Sequence, residues 1–215
     1  MMRLKMFTFS PLQENTYLLW NEKKEAIIID PGCYFTAEEE ALQSFVEEHQ
    51  LTPVQLLNTH CHLDHVFGLK WTAKQYNLIP HMHPVAEKEL SFAPSSGLSW
   101  GMPFSNYEGP VEHVNDGDTI SIGDEILTVI HAPGHSPGSI CFYSEKHKLI
   151  IGGDVLFFQS IGRTDLPGGN HAQLLKSIKE RLFTLPDETV VYSGHGPKTT
   201  IGSEKRNNPF LREIA

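Results

Sequence analysis

Cysteine is scarce in this 215-residue chain: Cys33, Cys61 and Cys141 are the whole set. Three thiols, odd in number and far apart, exclude a disulfide framework and suit a reducing compartment. Long apolar runs are missing too. The first one is broken at Ser10, Pro11, Gln13 and Glu14, short of a secretory signal and of the roughly 20 residues that a membrane span needs. Basic charge is also in deficit, with 17 Lys and Arg against 26 Asp and Glu for a formal net charge of −9. A chain that acidic repels phosphate backbones and anionic lipid, and the one mildly basic stretch is 198–212. No repeat, low-complexity tract or linker divides the sequence. Collagen-like, disordered and membrane classes all need a bias that 40% apolar and 20% charged residues do not provide. The expectation is a soluble cytoplasmic protein, one domain over 1–215, with no nucleic-acid or membrane partner.

Histidine, by contrast, is abundant: twelve residues, more than Tyr or Met. That count motivates a search for metal or acid–base chemistry. Along the chain, short strand-like runs at 6–9, 16–20 and 26–29 precede a helix. Thr36 is expected to cap it, with Glu39 as the reciprocal partner and Leu42, Phe45 and Val46 on its apolar face. A buried strand at 54–57 follows, then helical patterns at 66–76 and 85–92. The Ser-, Gly- and Pro-rich stretch 93–110 reads as a long loop. Strands are expected near 111–114, 119–122, 125–131, 139–143 and 148–152. A helix capped by Asn170 and Gln173 and a last strand at 189–193 complete the order. Strands then helix, repeated twice, predict an α/β protein with two sheets packed together and helices outside.

The densest chemical cluster is Thr59-His60-Cys61-His62-Leu63-Asp64-His65, directly after an apolar strand. Residues at i and i+2 of an extended segment point the same way, so His60 and His62 can share one metal. Asp64 and His65, past the turn, can face a second. Zinc takes three or four protein ligands, so single ligands are expected at other strand ends. His135, Asp154 and His195 fit, each following an apolar strand and beside a glycine that lets the backbone come close. Cys61 should point away from the metals and be buried and inert. His131 reads as packing or a supporting hydrogen bond, His81 and His83 as cleft-lining, and His49, His113, His147 and His171 as surface.

These residues, in this order, resemble the metallo-β-lactamase fold family, and Ile28-Ile29-Asp30-Pro31-Gly32 resembles that family's early strand and turn. The resemblance implies an αβ/βα four-layer sandwich with metals at one edge. It implies His60, His62 and His135 on one ion, Asp64, His65 and His195 on a second, and Asp154 bridging. Two divalent ions are expected, zinc first, with iron or manganese as alternatives, and Asp64 is also a candidate catalytic residue. The segment after Asp154 resembles the small glyoxalase II-like hydrolases, which cleave acylglutathione thioesters. That implies hydrolysis of a small-molecule thioester, glutathione-linked, by a hydroxide bridging the ions.

The run Gly162-Arg163-Thr164-Asp165 also occurs in persulfide dioxygenases, which use a single iron, and this is the alternative. A non-catalytic metal-binding module is a further one. Arg163 matches a basic glutathione contact; equally, it can pair with Asp165 two residues on. Two departures bear on the thiol carrier: Asp165 stands where glyoxalase II has an aromatic contact, and larger relatives continue beyond Asn208-Pro209-Phe210 into a helical segment with further basic contacts.

Overall fold

The structure, a computed structural model, describes residues 2–212. The chain falls into two compact units. The first runs up to Val114 and includes Ser121–Ile126; the second comprises Asn115–Ile120 and the chain from Leu127 onward.

In the first unit β1 (Arg3–Phe9), β2 (Glu14–Trp20) and β3 (Glu25–Ile29) form an antiparallel meander. β4 (Thr52–Leu57) returns parallel to β3 after helix α1 (Thr36–Glu48). Helices α2 (Leu63–Val66) and α3 (Leu69–Tyr76) lead to β5 (Pro80–Met82), and α4 (Pro84–Ser99) to β6 (Glu112–His113). The sheet order is β1-β2-β3-β4-β5-β6. β2 is buried along its whole length and β3 from Ala26 to Ile29; β3 is a continuous apolar run there, whereas β2 buries the polar Glu14, Asn15 and Thr16 ahead of its apolar half. Leu18, Ile28 and Leu56 pack with Leu42 and Val46 of α1, Leu69 of α3 and Leu90 of α4 in one core.

The second sheet has the order β14-β13-β10-β9-β8-β7. It comprises β7 (Thr119–Ile122), β8 (Glu125–His131), β9 (Ile140–Ser144), β10 (Leu149–Gly153), β13 (Val190–Ser193) and β14 (Thr199–Thr200). Between β10 and β13 lie a small hairpin, β11 (Leu156–Phe157) with β12 (Ser160–Ile161), and α5 (His171–Ser177), which widens into a π-helical turn over Ile178–Leu182. The helix α6 (Ile201–Asn207) follows β14. Asn170 caps α5 as expected, its Oδ1 accepting from Gln173 N–H at 3.0 Å.

Several local expectations need correction. The residue that caps α1 is Phe35, and the acid that reaches back is Glu38, not Glu39; its Oε2 accepts from the N–H groups of Tyr34 (2.7 Å) and Phe35 (3.1 Å). The helical pattern at 66–76 is two helices, broken at Phe67 and Gly68, where the Gly68 N–H turns aside to Pro31 O. A Cβ at Gly68 would sit 3.0 Å from the Pro31 oxygen and the Cys33 Cβ, so the break is where the chain passes closest to the 30–33 turn. His49 is half-buried, its ring stacked on Phe45 at 4.0 Å, and His147 is half-buried too.

The expected loop at 93–110 starts as helix, because α4 continues through Pro94 to Ser99. Proline there has no N–H to give to the carbonyl of Leu90. Asn106 supplies the missing donor, its Nδ2 lying 2.8 Å from Leu90 O. Replacing Asn106 with Ala should cost about 1–2 kcal/mol, the scale of a buried carbonyl left unsatisfied. The cost should shrink in a Pro94→Ala background, where the backbone N–H gained at position 94 can take over that carbonyl. Denaturant unfolding of the four proteins in this cycle checks it, and equal costs in both backgrounds would reject the compensation.

Candidate metal centre

In the first unit the cluster stands where β3 and β4 end. Asp30 ends the Ile27-Ile28-Ile29 run with φ of 51° and 1% exposure. Its Oδ1 accepts the Thr59 N–H (2.7 Å), and its Oδ2 accepts the Thr59 hydroxyl (2.5 Å) and the Nδ1–H of His65 (3.1 Å). Thr59 Oγ1, its proton given to Asp30, lies 3.1 Å from His60 Nδ1 and accepts from it. One carboxylate thereby fixes two imidazoles, directly for His65 and through a hydroxyl for His60, and puts the proton on Nδ1 of each.

His60 and His65 are fully buried, with ring centroids 4.1 Å apart, and His62 stands 4.7 Å from His60. Asp64 Oδ2 lies 3.9 Å from His65 Nε2. Atoms of Asp30, His60 and His65 also meet the spacing of a metal group. The Asp30 oxygens are, however, committed to Thr59 and His65, which marks it as the orienting residue rather than a ligand. Asn58 Nδ2 holds the His65 carbonyl at 3.0 Å.

In the second unit His135, Asp154 and His195 follow β8, β10 and β13. The Asp154 Oδ2 lies 3.6 Å from His135 Nε2 and 3.6 Å from His195 Nε2. His135 Nδ1–H donates to Arg163 O at 2.8 Å, which turns Nε2 toward Asp154. Two glycines make this possible. At Gly134, with φ of 138°, a Cβ would strike the Leu174 backbone; at Gly162 it would strike the Asp154 carbonyl. The 134 loop thereby packs directly on α5, and the 162 turn directly on the backbone of Asp154. Phe157 meets His195 edge-on at 6.2 Å.

All seven residues expected as ligands are thus grouped within their own units, four in the first and three in the second. Imidazole and carboxylate donors with ring nitrogens oriented by a second hydrogen bond fit a divalent ion such as zinc, iron or manganese. Sulfur takes no part: Cys61 is 1% exposed with its thiol 3.6 Å from Met82 Sδ, and burial raises that thiol well above its ordinary pKa.

Four of the other histidines have structural partners. His131 Nε2 lies 3.0 Å from Pro137 O, His83 caps α4, and His113 pairs with Glu87. His81 lies 3.6 Å from Glu112; burial lowers its pKa and the carboxylate opposes that. Arg163 grips Asp165 through two bonds of 2.7 Å at the exposed surface. The Arg163 hydrogen bond holds the Asp165 carboxyl down to about 2.

The profile of the Metallo-beta-lactamase superfamily matches residues 9–195. The chain belongs to that superfamily. It is 37% identical to the probable metallo-hydrolase YqgX of Bacillus subtilis over 98% of both chains. It is also 37% identical to the hydroxyacylglutathione hydrolase GloC of Haemophilus influenzae, again over 98% of each. Among solved structures it is similar to BLEG-1 B3 metallo-β-lactamase, with a TM-score of 0.89 and 40% identity over 98% of this chain and 100% of that one. A di-iron-bound form of TTHA1623 gives 0.87 at 37% identity over 96% and 100%. The α/β fold is accordingly the metallo-β-lactamase fold, in a superfamily of metal-dependent hydrolases. Among the described residues no helix is long and apolar enough to cross a membrane.

Asp30 and Thr59 were not assigned roles from sequence, although an acid closing the Ile27-Ile28-Ile29 run was a readable signal. Asp30→Ala should weaken divalent metal binding by about 10–100-fold, the usual cost of removing the partner that orients a ligand histidine. Competition against a chromogenic chelator measures this, and wild-type affinity in the variant would refute the orienting role.

Proposed function

We propose that the chain is a binuclear metal hydrolase that cleaves a small-molecule thioester such as an acylglutathione. The observation that carries this is that the candidate ligands of both halves are present together, with His60, His65 and His135 oriented by hydrogen bonds from within the fold. On this proposal the two units work as one domain over 1–215. His60, His62 and His135 hold the first ion, Asp64, His65 and His195 the second, and Asp154 is shared. Two such ions, when bound, lower the pKa of water toward 7 and polarise a carbonyl.

The chain's own residues then have separate tasks. Asp30 keeps the Nδ1 protons of His60 and His65 in place, so both rings present Nε2. Asp64, 8% exposed beside His65, is assigned the catalytic task of orienting the attacking water by accepting its hydrogen bond. A thiolate suits the site as leaving group, since thiols ionise near pH 8.5. The GloC relative supports a glutathione-linked thioester, and the di-iron neighbour keeps iron beside zinc as an occupant. Three buried cysteines, none in a disulfide, support a reducing, cytoplasmic setting.

Arg163 is the proposed glutathione contact. Its pairing with Asp165 is exposed and therefore weak, so a substrate carboxylate can replace Asp165 on the guanidinium. Arg163→Ala should raise KM severalfold for a glutathione thioester with little change in kcat, and Asp165→Ala should lower KM. Steady-state kinetics with lactoylglutathione and with a thioester lacking the glutathione carboxylates checks this. Equal KM changes for both substrates would assign the pair to structure.

The run Gly162-Arg163-Thr164-Asp165 suits a second reading equally, a mononuclear iron persulfide dioxygenase. The two separate cleanly. Elemental analysis should give about two ions per chain, and lactoylglutathione should release thiol under anaerobic conditions. Asp154→Ala should be the most damaging ligand change, stripping both ions where His62→Ala and His65→Ala strip mainly one each. A single iron with oxygen consumed in step with glutathione persulfide would replace the hydrolase with the dioxygenase. Turnover of a β-lactam and not of thioesters would move the chain to the lactamase activity that the BLEG-1 name carries. Full metal with no turnover of any of these would leave a binding module.

A further inference from the structure

Glu14, the first residue of β2, is an acid that no metal role uses. It is 0% exposed, a position unfavourable for a carboxyl unless its contacts compensate. Those contacts lead toward the metal ligands. The Thr16 hydroxyl donates to Glu14 Oε2 at 2.9 Å, and the Thr16 oxygen in turn accepts the Gly32 N–H at 2.9 Å. Gly32 lies two residues past Asp30 in the turn whose carboxylate holds His65. The other Glu14 oxygen, Oε1, makes no hydrogen bond and lies 3.8 Å from His65 Nδ1. A Cβ on Gly32 would overlap Glu14 Oε2 and come within 2.7 Å of the Asp64 carbonyl oxygen. The acid, the 30–32 turn and the start of α2 therefore converge with no atom to spare.

We propose that Glu14 is a positioning residue for His65. By taking the single proton of the Thr16 hydroxyl, it turns the lone pairs of that oxygen onto Gly32 N–H. This fixes the turn that carries Asp30 and keeps the His65 ring with its proton on Nδ1 and its Nε2 presented. The consequence for a second ion rests on the two-ion reading above; the consequence for the imidazole does not.

The test uses metal-free protein with 15N-labelled histidine, and reads the ring-nitrogen shifts of His65 in the wild type, Glu14→Gln, Glu14→Ala and Thr16→Val. Gln keeps an oxygen for the Thr16 proton, so wild type and Glu14→Gln should share one Nδ1–H tautomer. Glu14→Ala and Thr16→Val should show both tautomers. On zinc titration the last two should lose about tenfold or more in affinity for the second ion, with a smaller loss at the first, whose His60 depends on Asp30 only through the Thr59 hydroxyl.

A wild-type tautomer in Glu14→Ala overturns the proposal, and so does a Gln variant that behaves like Ala. Should Glu14→Ala fail to fold, Thr16→Val decides, and a wild-type tautomer there is again fatal. One ion in the wild type together with the expected tautomer change would sink the two-ion reading and leave the role of Glu14 standing.

Discussion

The carboxylate of Asp30 accepts three hydrogen bonds at 1% exposure, and the metal-facing side of the first unit depends on them. A buried carboxylate is tolerable when its lone pairs are occupied by good donors, and these donors come from the very segment that must be fixed. The Thr59 N–H and hydroxyl lock the first residue of the cluster to the end of β3. The His65 Nδ1–H does the same for its last residue, across the turn that starts α2. The ordering of His60 through the Thr59 hydroxyl then follows without a second acid. The positive φ of Asp30 brings its side chain back beside β4, a local strain that these three bonds offset.

The second unit solves the same problem differently. A backbone carbonyl, Arg163 O, orients His135, and glycines at 134 and 162 remove the side chains that would hold the loops apart. Helix α5 braces this loop from behind: Asn170 N–H donates to Gly134 O at 2.7 Å and the Ser177 hydroxyl to Pro133 O at 2.7 Å. The two halves are therefore prepared independently, each by bonds within its own unit. The residue that exposes Arg163 O to His135 is the same one whose guanidinium is proposed for the substrate, so a single loop orients a ligand with its backbone and offers a cation with its side chain.

Much of this was legible in the sequence. The HxHxDH spacing, with single His and Asp residues after later apolar strands, named all seven candidate ligands, because strand alternation and strand ends are local properties of the chain. The inert Cys61 followed from the same alternation. The α/β class and most strands were readable from apolar runs. What local pattern could not supply was anything set by contact between distant segments. The length of α4 was misread because Pro94 is a helix breaker until Asn106, twelve residues on, satisfies the carbonyl it abandons. The cap of α1 was placed one residue late, since the choice of Glu38 over Glu39 depends on its reaching Tyr34, Phe35 and Ser10 together.

The same division holds at the site. Sequence determined which side chains are able to bind metal and which strand ends carry them. Tertiary structure decided which nitrogen of the His65 and His135 rings faces outward, because that depends on Asp30 meeting His65 across 35 residues and on Arg163 O meeting His135 across 28. It brought Arg163 against Asp165 in an exposed ion pair. It also revealed Glu14, a buried acid at the polar start of β2, as part of the packing under His65. A buried polar group gets its meaning from what it touches, and contact across the fold is the one thing a periodicity of two or 3.6 residues does not encode.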